Sequence, residues 1–531
     1  TIVEKLSGLF PIFFFLIAAL VCSTTMTRMI DDERTQIGTL RALGYSRGSI
    51  LAKYLLYSGS AAALGCVIGY FAGGYVFPFV IWTAYGMLYS IPGFVILYDP
   101  VLFVIALAAS LLCSAGTTYL ALRIEMQNMP ANLIRPKTPA AGKRIFLERI
   151  TPLWKRLKFL HKVSLRNIFR FKKRMIMMIL GIAGCTALVL TGFGIHDSVA
   201  NIANFQFDDI QKYDVSAQFS DTLTEDKINE VESDHKSELD AATAVQMTSG
   251  DVTGDSITKS AYIVASDDPA ITDIFDLHID GETVPYPGKG EVLLTEKLAE
   301  LTDIKTGDTV TVSVSDTEKA ELKVAGLVEN YVQNYLYMTG ETYAMVADKG
   351  YEPKTLLLRV NDSADEYALS AALSKTDGVS SVSVVTDTRN MIDQMMQSLN
   401  YVVALVLISA GALAFIVLFN LGNINLTERV REIATIKVLG FHSGETGAYV
   451  FRENIILSMM GIVVGLPLGV LLHTFVLMQI RVDMVSFKAV IAPVSFLLTV
   501  VMVVLFTVIT DLVMRKKIAK IDMAESLKSI E

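Results

Sequence analysis

Two short stretches of this sequence share one pattern, and they hold the side chains best suited to act on a partner. Ile37, Leu40 and Leu43 recur at i, i+3, i+6, and Ile433, Ile436 and Leu439 do the same. On a short helix this spacing predicts a narrow apolar stripe. Arg34 and Arg41 fall off the stripe in the first stretch, as do Arg431 and Lys437 in the second. Gly44 and Gly440 follow as helix stops, because glycine tolerates the left-handed conformation found there. Such a helix can extend a neighbour, lie on a membrane surface or dock into a partner's groove. Its occurrence in two places favours docking.

Other chemistry finds little support. Gly288-Lys289-Gly290 and Gly142-Lys143-Arg144 lack the GxxxxGK[ST] arrangement that cradles phosphates. There is no HExxH and no CxxC, and the six histidines have no metal-ligand spacing. We therefore expect no catalytic residue, no metal and no cofactor bound by the chain itself. His473 and Asp511 are the ionisable candidates in apolar stretches, and both are expected near the ends of their spans. A proton- or sodium-coupled carrier needs intramembrane carboxylates or unwound helices. That class is disfavoured.

The elements that carry these residues are membrane spans. Of 531 residues 52% are hydrophobic and only 19% charged, against about 25% in soluble proteins. The apolar residues concentrate at about 9–27, 54–78, 101–122, 175–195, 399–421, 453–479 and 490–513, each long enough to cross about 30 Å of hydrocarbon. A soluble enzyme, a nucleic-acid binder and a disordered scaffold are excluded. Residues 196–395 carry 38 acidic and 14 basic side chains, while the rest of the chain is basic. Bases gather at 28–53, 123–174 and the C-terminal tail, and 79–99 has none. The positive-inside rule then places the basic loops and the C-terminus in the cytoplasm and the acidic domain outside. All four cysteines lie in spans, so no disulfide framework holds that domain.

The chain repeats itself at an offset of 396. Ile37–Tyr45 falls on Ile433–Phe441, and Gly65, Gly69 and Gly73 fall on Gly461, Gly465 and Gly469. Glycines at i, i+4, i+8 let a second helix approach closely, so both sets are expected to be packing seams. Beyond the next span, Met129-Pro130-Ala131 resembles Asp522-Met523-Ala524 at an offset of 393. Two related three-helix units result. Nothing in the first half matches the span at 175–195 or the acidic domain, and we expect a further span and external domain ahead of Thr1. Residues 155–174 read as a basic amphipathic helix on anionic lipid. In the acidic domain Asp226–Lys236 looks helical, and Thr309–Val314 and Ala320–Val328 alternate like strands. Met391, Met395 and Met396 suggest a stalk at 385–399 leading into the next span.

Glu33–Gly44 and Glu428–Gly440 resemble the coupling-helix pattern of the FtsX-like permeases of bacterial ABC transporters, a mechanotransmission group that includes the MacB and lipoprotein-releasing permeases. Ser164–Arg170 resembles the segment leading into that family's first span. Gly290–Leu294, Gly307-Asp308 and Val324–Gly326 resemble the small-barrel part of its external core domain. The resemblance implies a polytopic α-helical membrane protein with one α+β extracytoplasmic domain. It divides the chain into 1–135, a first unit lacking its first span and external domain; 136–174, a basic linker; 175–195, a span; 196–398, the external domain; and 399–531, a second unit. It also implies a separate cytoplasmic ABC ATPase, in two copies, that binds ATP and Mg and pushes on the two short helices. Membrane lipids and an extracytoplasmic accessory protein are further expected partners; nucleic acid is not. Two functions follow: export or extraction of a peptide, lipid, lipoprotein or drug, or signalling to an external cell-wall hydrolase or in response to antimicrobial peptides.

Overall fold

The computed structural model describes residues 2–86, 93–134, 155, 159–170, 172–254, 257–315, 317–428, 430–440, 443–479, 483 and 485–519. They divide into two compact units, one of 1–197, 401–480 and 489–531, the other of 198–400 and 481–488. The first is helical. Its elements are α1 (Ile2–Asp32), α2 (Arg34–Ala42), α3 (Arg47–Tyr85), α4 (Pro100–Glu125), α5 (Pro130–Ile134), α6 (Phe159–Arg170), α7 (Lys172–Ala200), α8 (Val385–Glu428), α9 (Val430–Val438), α10 (Ser443–Gln479) and α11 (Pro493–Ala519). Seven of these, α1, α3, α4, α7, α8, α10 and α11, are long and apolar enough to cross a membrane. Several run beyond the apolar stretch because polar residues cap them. Ser46 accepts the Ser49 N–H ahead of α3, and Asp99 accepts the Val101 N–H ahead of α4, where Pro100 fits the first turn. The helix α8 covers the expected stalk and span without a break.

The repeat in sequence is a repeat in space. Arg28 Nη1 on α1 donates to the Ile424 carbonyl of α8, which stands 396 residues on, and Asn420 Nδ2 donates to Thr25 Oγ1 at 2.8 Å. A residue that meets its own counterpart lies at a two-fold axis. The two three-helix units therefore face each other through α1 and α8.

The second unit is α+β. Nine strands are ordered β11-β1-β10-β2-β3-β9-β6-β8-β7, with β1 at Val215–Phe219, β2 at Leu239–Thr253, β3 at Thr258–Ala265, β6 at Glu291–Thr295, β7 at Thr309–Ser313, β8 at Lys319–Val328, β9 at Tyr335–Met338, β10 at Thr355–Val360 and β11 at Val379–Val384, while β4 at His278–Ile279 and β5 at Glu282–Thr283 pair separately. A further β2–β7 pairing, Asp251 with Ser313 through Thr253 with Thr311, closes β2, β3, β9, β6, β8 and β7 into a small barrel. Alternating residues such as Val310, Val312, Leu322 and Val324 fill it. The 15-residue β2 also belongs to the open sheet β11-β1-β10-β2, whose core takes Val215, Ala217, Leu356 and Leu358 with Leu369 and Leu373 from the helix Glu366–Leu373. A strand shared by barrel and sheet leaves no room for a hinge between them.

Candidate functional site

The two short helices are fixed to their three-helix units by different means. Ile37 of α2 is fully buried among Ile30, Ile50, Tyr54, Leu122, Met126 and Leu133. Arg34 Nε lies 2.7 Å from Glu125 Oε1, and Arg41 Nη1 donates to the carbonyls of Met126 at 3.0 Å and Asn128 at 2.5 Å. Glu33, just before the helix, accepts Tyr54 Oη at 2.6 Å and pairs with Lys53 at 3.2 Å. The Tyr54 hydrogen bond, aided by Lys53 and opposed by partial burial, holds the Glu33 carboxyl below the usual carboxylate range. A Cβ on Gly38 would stand 2.9 Å from Leu133 Cβ and Ile134 Cγ1, so α5 presses directly on the α2 backbone.

In α9, Ile433 is likewise fully buried, with Leu426, Phe451, Met514 and Ile518. Lys437 Nζ donates to the Ile518 carbonyl at 2.7 Å, which repeats the reach of Arg41 to the end of the last span of its own half. The side chain of Arg431 and the segment 522–524 lie outside the described residues.

The sequence placed each set of three apolar residues on one stripe, and the structure separates them. At 100° per residue, i+6 stands 120° away from i. Ile37 and Ile433 are buried, Leu40 and Ile436 are half-buried, and Leu43 and Leu439 are each 71% exposed. The bases Arg34, Arg41 and Lys437 are internal fasteners and not a free cationic rim. The exposed residues are Thr35, Gln36, Thr39, Ala42 and Leu43 at the first helix, with Glu432, Thr435, Val438 and Leu439 at the second. Sequence spacing missed Ala42 and Val438, although each stands one turn beyond an exposed threonine, Thr39 or Thr435. Gly44 and Gly440 have φ of +92° and +93°, so both chains leave the helix through the same left-handed turn.

The two glycine sets also part company. A Cβ on Gly461, Gly465 or Gly469 would come within 2.5–2.8 Å of Ile182, Thr186 or Leu190 on α7, a close helix–helix seam. Nothing among the described residues lies within 4 Å of such an atom on Gly65 or Gly69, and Gly73 meets only Phe77 of its own helix. Among the described residues no helix stands against the expected seam in the first half.

The interior of the second half is more polar than its sequence suggested. Asp511 is buried, and accepts Asn454 Nδ2 at 2.8 Å; Asn454 Oδ1 in turn accepts Asn425 Nδ2 at 2.6 Å. Glu453 is fully buried, and so is His473, whose ring packs on Gly194. Asp511 is therefore enclosed by neighbouring helices. Three polar side chains on three helices join α8, α10 and α11 by hydrogen bonds that hydrocarbon cannot replace. Among the described residues no group of three or more His, Cys, Asp or Glu could hold a metal.

In the α+β unit the segment between α10 and α11 is stitched in by its own contacts. Lys488 Nζ pairs with the buried Glu329 at 2.8 Å, and Lys259 Nζ with Asp483 at 2.5 Å. Ser486 N–H donates to the Tyr331 carbonyl at 2.9 Å, and Val485 bridges to Val332. Along the part of α8 in this unit, Met391 and Met395 are exposed while Met396 is buried.

Residues 8–126 and 404–523 each match the family described as FtsX-like permease C-terminal, and residues 175–376 match the MacB-like periplasmic core domain. Among solved structures, the chain is similar to the extracellular domain of the noncanonic ABC-type transporter YknZ from Gram-positive bacteria, at 14% identity over 32% of this chain and 98% of that one, TM-score 0.25. It is similar also to the periplasmic region of MacB from Actinobacillus actinomycetemcomitans, at 14% identity over 35% and 94%, TM-score 0.24. No curated protein matches. With two matched permease units, seven apolar helices and one external α+β domain, the chain belongs to the FtsX- and MacB-like family of ABC transporter permeases.

Proposed function

We propose that this permease receives the push of a separate ABC ATPase at α2 and α9 and turns it into motion of the external domain, which exports or extracts a substrate. The observation that carries the reading is the pair of exposed leucines. Leu43 and Leu439 stand at equivalent places on two helices, each anchored by a buried isoleucine and a base, so that a force applied outside reaches the spans. Two equivalent docking points suit two ATPase subunits. ATP and Mg belong to that partner, because this sequence contains no phosphate-binding loop. The dense bases at 28–53 and 123–174 support a cytoplasmic position for both helices and an external one for the α+β domain.

The test is co-purification with the ATPase from the native membrane. Truncating an apolar anchor at an interface costs about 2 kcal/mol or more. Leu43→Asp together with Leu439→Asp should abolish co-purification, while each protein still inserts. A double variant that retains its ATPase and stimulates hydrolysis normally would make these helices ordinary loop structure.

A further inference from the structure

The polar side chains between α10 and α11 enclose a cavity of about 20 Å³, lined by Asn454, Ser458, Thr507, Thr510 and Asp511 with apolar groups of α7 and α8. A water-sized body needs about 10–15 Å³ of such space, so the cavity takes a single occupant. All five polar side chains are more than nine-tenths buried. Two of them are short of partners. Among the described residues Thr510 Oγ1 has no hydrogen-bond partner, and Asp511 has Asn454 Nδ2 at 2.8 Å but no base. The first half handles the same positions differently. Ser114, Thr117 and Thr118 stand there for Thr507, Thr510 and Asp511, at the offset of 393. Thr117 Oγ1 donates to the Cys113 and Ser114 carbonyls at 2.8 and 3.0 Å, and Thr118 Oγ1 to the Ser114 carbonyl at 2.8 Å. A helical threonine commonly satisfies itself on the preceding turn in this way. Thr510 does not, and it lines the cavity beside a carboxylate.

We propose that this cavity binds one sodium ion, held by the Asp511 carboxylate and the oxygens of Thr510, Thr507, Ser458 and Asn454. A carboxylate enclosed among apolar groups is costly unless an opposite charge is brought to it. One carboxylate balances one monovalent cation. Calcium or magnesium would leave a net charge enclosed, and each needs further carboxylates or waters for which there is no room. The remaining oxygens have lone pairs to offer. Thr507 Oγ1 gives its proton to the Val503 carbonyl at 2.9 Å and lies 3.1 Å from Ser458 Oγ. Asn454 Oδ1 accepts Asn425 Nδ2 at 2.6 Å and keeps a second lone pair. A carboxylate is a ligand of high field strength, which favours sodium over the larger potassium ion. The ion would join α10 to α11 beneath the second short helix. Asn454 stands one turn after Phe451 and Asp511 one turn before Met514, and these two residues bury Ile433 of α9.

The test is binding of radioactive sodium to the full chain, purified in choline chloride and titrated at constant ionic strength. Saturable binding of one ion per chain is expected, with a rise in the temperature of thermal unfolding that potassium at the same concentration does not give. Asp511→Asn keeps the shape, removes the charge and should abolish binding. Thr510→Val should weaken it about tenfold or more, as losing one ligand to a charged group does. Thr117→Val, at the equivalent place in the first half, should leave it unchanged. Should Asp511→Asn fail to fold, the wild-type isotherm and the contrast between the two threonine variants still decide. No retained sodium, with an unfolding temperature indifferent to it, gives the cavity to a water or Asp511 to a proton and overturns the proposal. So does displacement by an equal concentration of potassium, or binding that Thr510→Val and Thr117→Val weaken alike.

Discussion

The two three-helix units descend from one pattern and hold themselves together differently. The second half packs α10 on α7 so closely that Gly461, Gly465 and Gly469 admit no side chain, and it joins α8, α10 and α11 through Asn425, Asn454 and Asp511. The first half has Met29, Ser58 and Thr118 at those polar positions and leaves its glycine face open. It is clamped near α2 by Arg34–Glu125, Glu33–Tyr54 and the pressure of α5 on Gly38. The two halves thus differ within the spans. At the short helices they keep the buried Ile37 and Ile433, the left-handed Gly44 and Gly440 and the exposed Leu43 and Leu439.

The glycine comparison should give the largest effect. A side chain at Gly465 would meet Thr186 Cβ at 2.6 Å and the Ala183 carbonyl oxygen at 2.8 Å, and backbone cannot step aside as a side chain can. Gly465→Leu should cost about 3 kcal/mol, as overpacking in a tight core does. Gly69→Leu, its repeat counterpart, should leave thermal stability of the detergent-solubilised chain unchanged. Equal losses at the two positions would show that the open face is covered in the isolated protein.

That asymmetry also marks the limit of what the sequence reveals. Seven spans, the duplicated helices and the α+β character of the external domain were legible because hydropathy, the 396-residue offset and strand alternation are properties of the chain alone. The fate of Gly65 was not, because a glycine face records that a neighbour could approach and not whether one is present. The burial of Asp511 was hidden for a related reason. Its partner Asn454 lies 57 residues away in sequence, and Asn425, which bonds Asn454, lies 86 away. The bases beside α2 and α9 looked like a free rim because the carbonyls they bind, at Met126, Asn128 and Ile518, carry no signature in the side chains.

A middle-sized effect should appear at the first short helix. Arg41 makes two hydrogen bonds to carbonyls at the end of α4, and hydrogen bonds to charged groups contribute about 1.5–3 kcal/mol each. Arg41→Ala should therefore loosen α2 and leave α9 as it is. Amide exchange of residues 37–42, with 433–438 as the internal reference, reads this directly, and Arg41→Lys should recover part of the loss. If exchange of 37–42 does not rise against 433–438, the carbonyl bonds of Arg41 contribute nothing to holding α2.

The smallest effect concerns the segments joining the last two spans of each half. In the first half Tyr70 Oη donates to the Asp99 carbonyl at 2.6 Å and Tyr98 packs on Tyr70 and Phe71. In the second half the segment 481–488 folds with the external domain and leans on Glu329. Burial raises the Glu329 pKa, but hydrogen bonds from Lys488, Tyr331 and the Asp280 N–H outweigh it, and the net value lies below the usual carboxylate range. A folded pKa below the unfolded value means that the folded state binds fewer protons. Its stabilisation is complete above the unfolded value of about 4.3 and fades as the pH falls through the folded one. Glu296 works the other way, because burial and then the neighbouring carboxylates of Glu329 and Asp280 raise its pKa, so its cost is relieved as the pH falls. The two partly cancel down to the unfolded value, and the loss of Glu329 dominates below it. Because Lys488 is partly in solvent, the change should be modest, about threefold in protection of the Ser486 amide once intrinsic exchange is corrected. Lys488→Met should lower that protection already at pH 6. Protection that stays flat from pH 6 to pH 3 would mean that the Val485–Val332 bridge and the Ser486 bond hold this segment without Glu329.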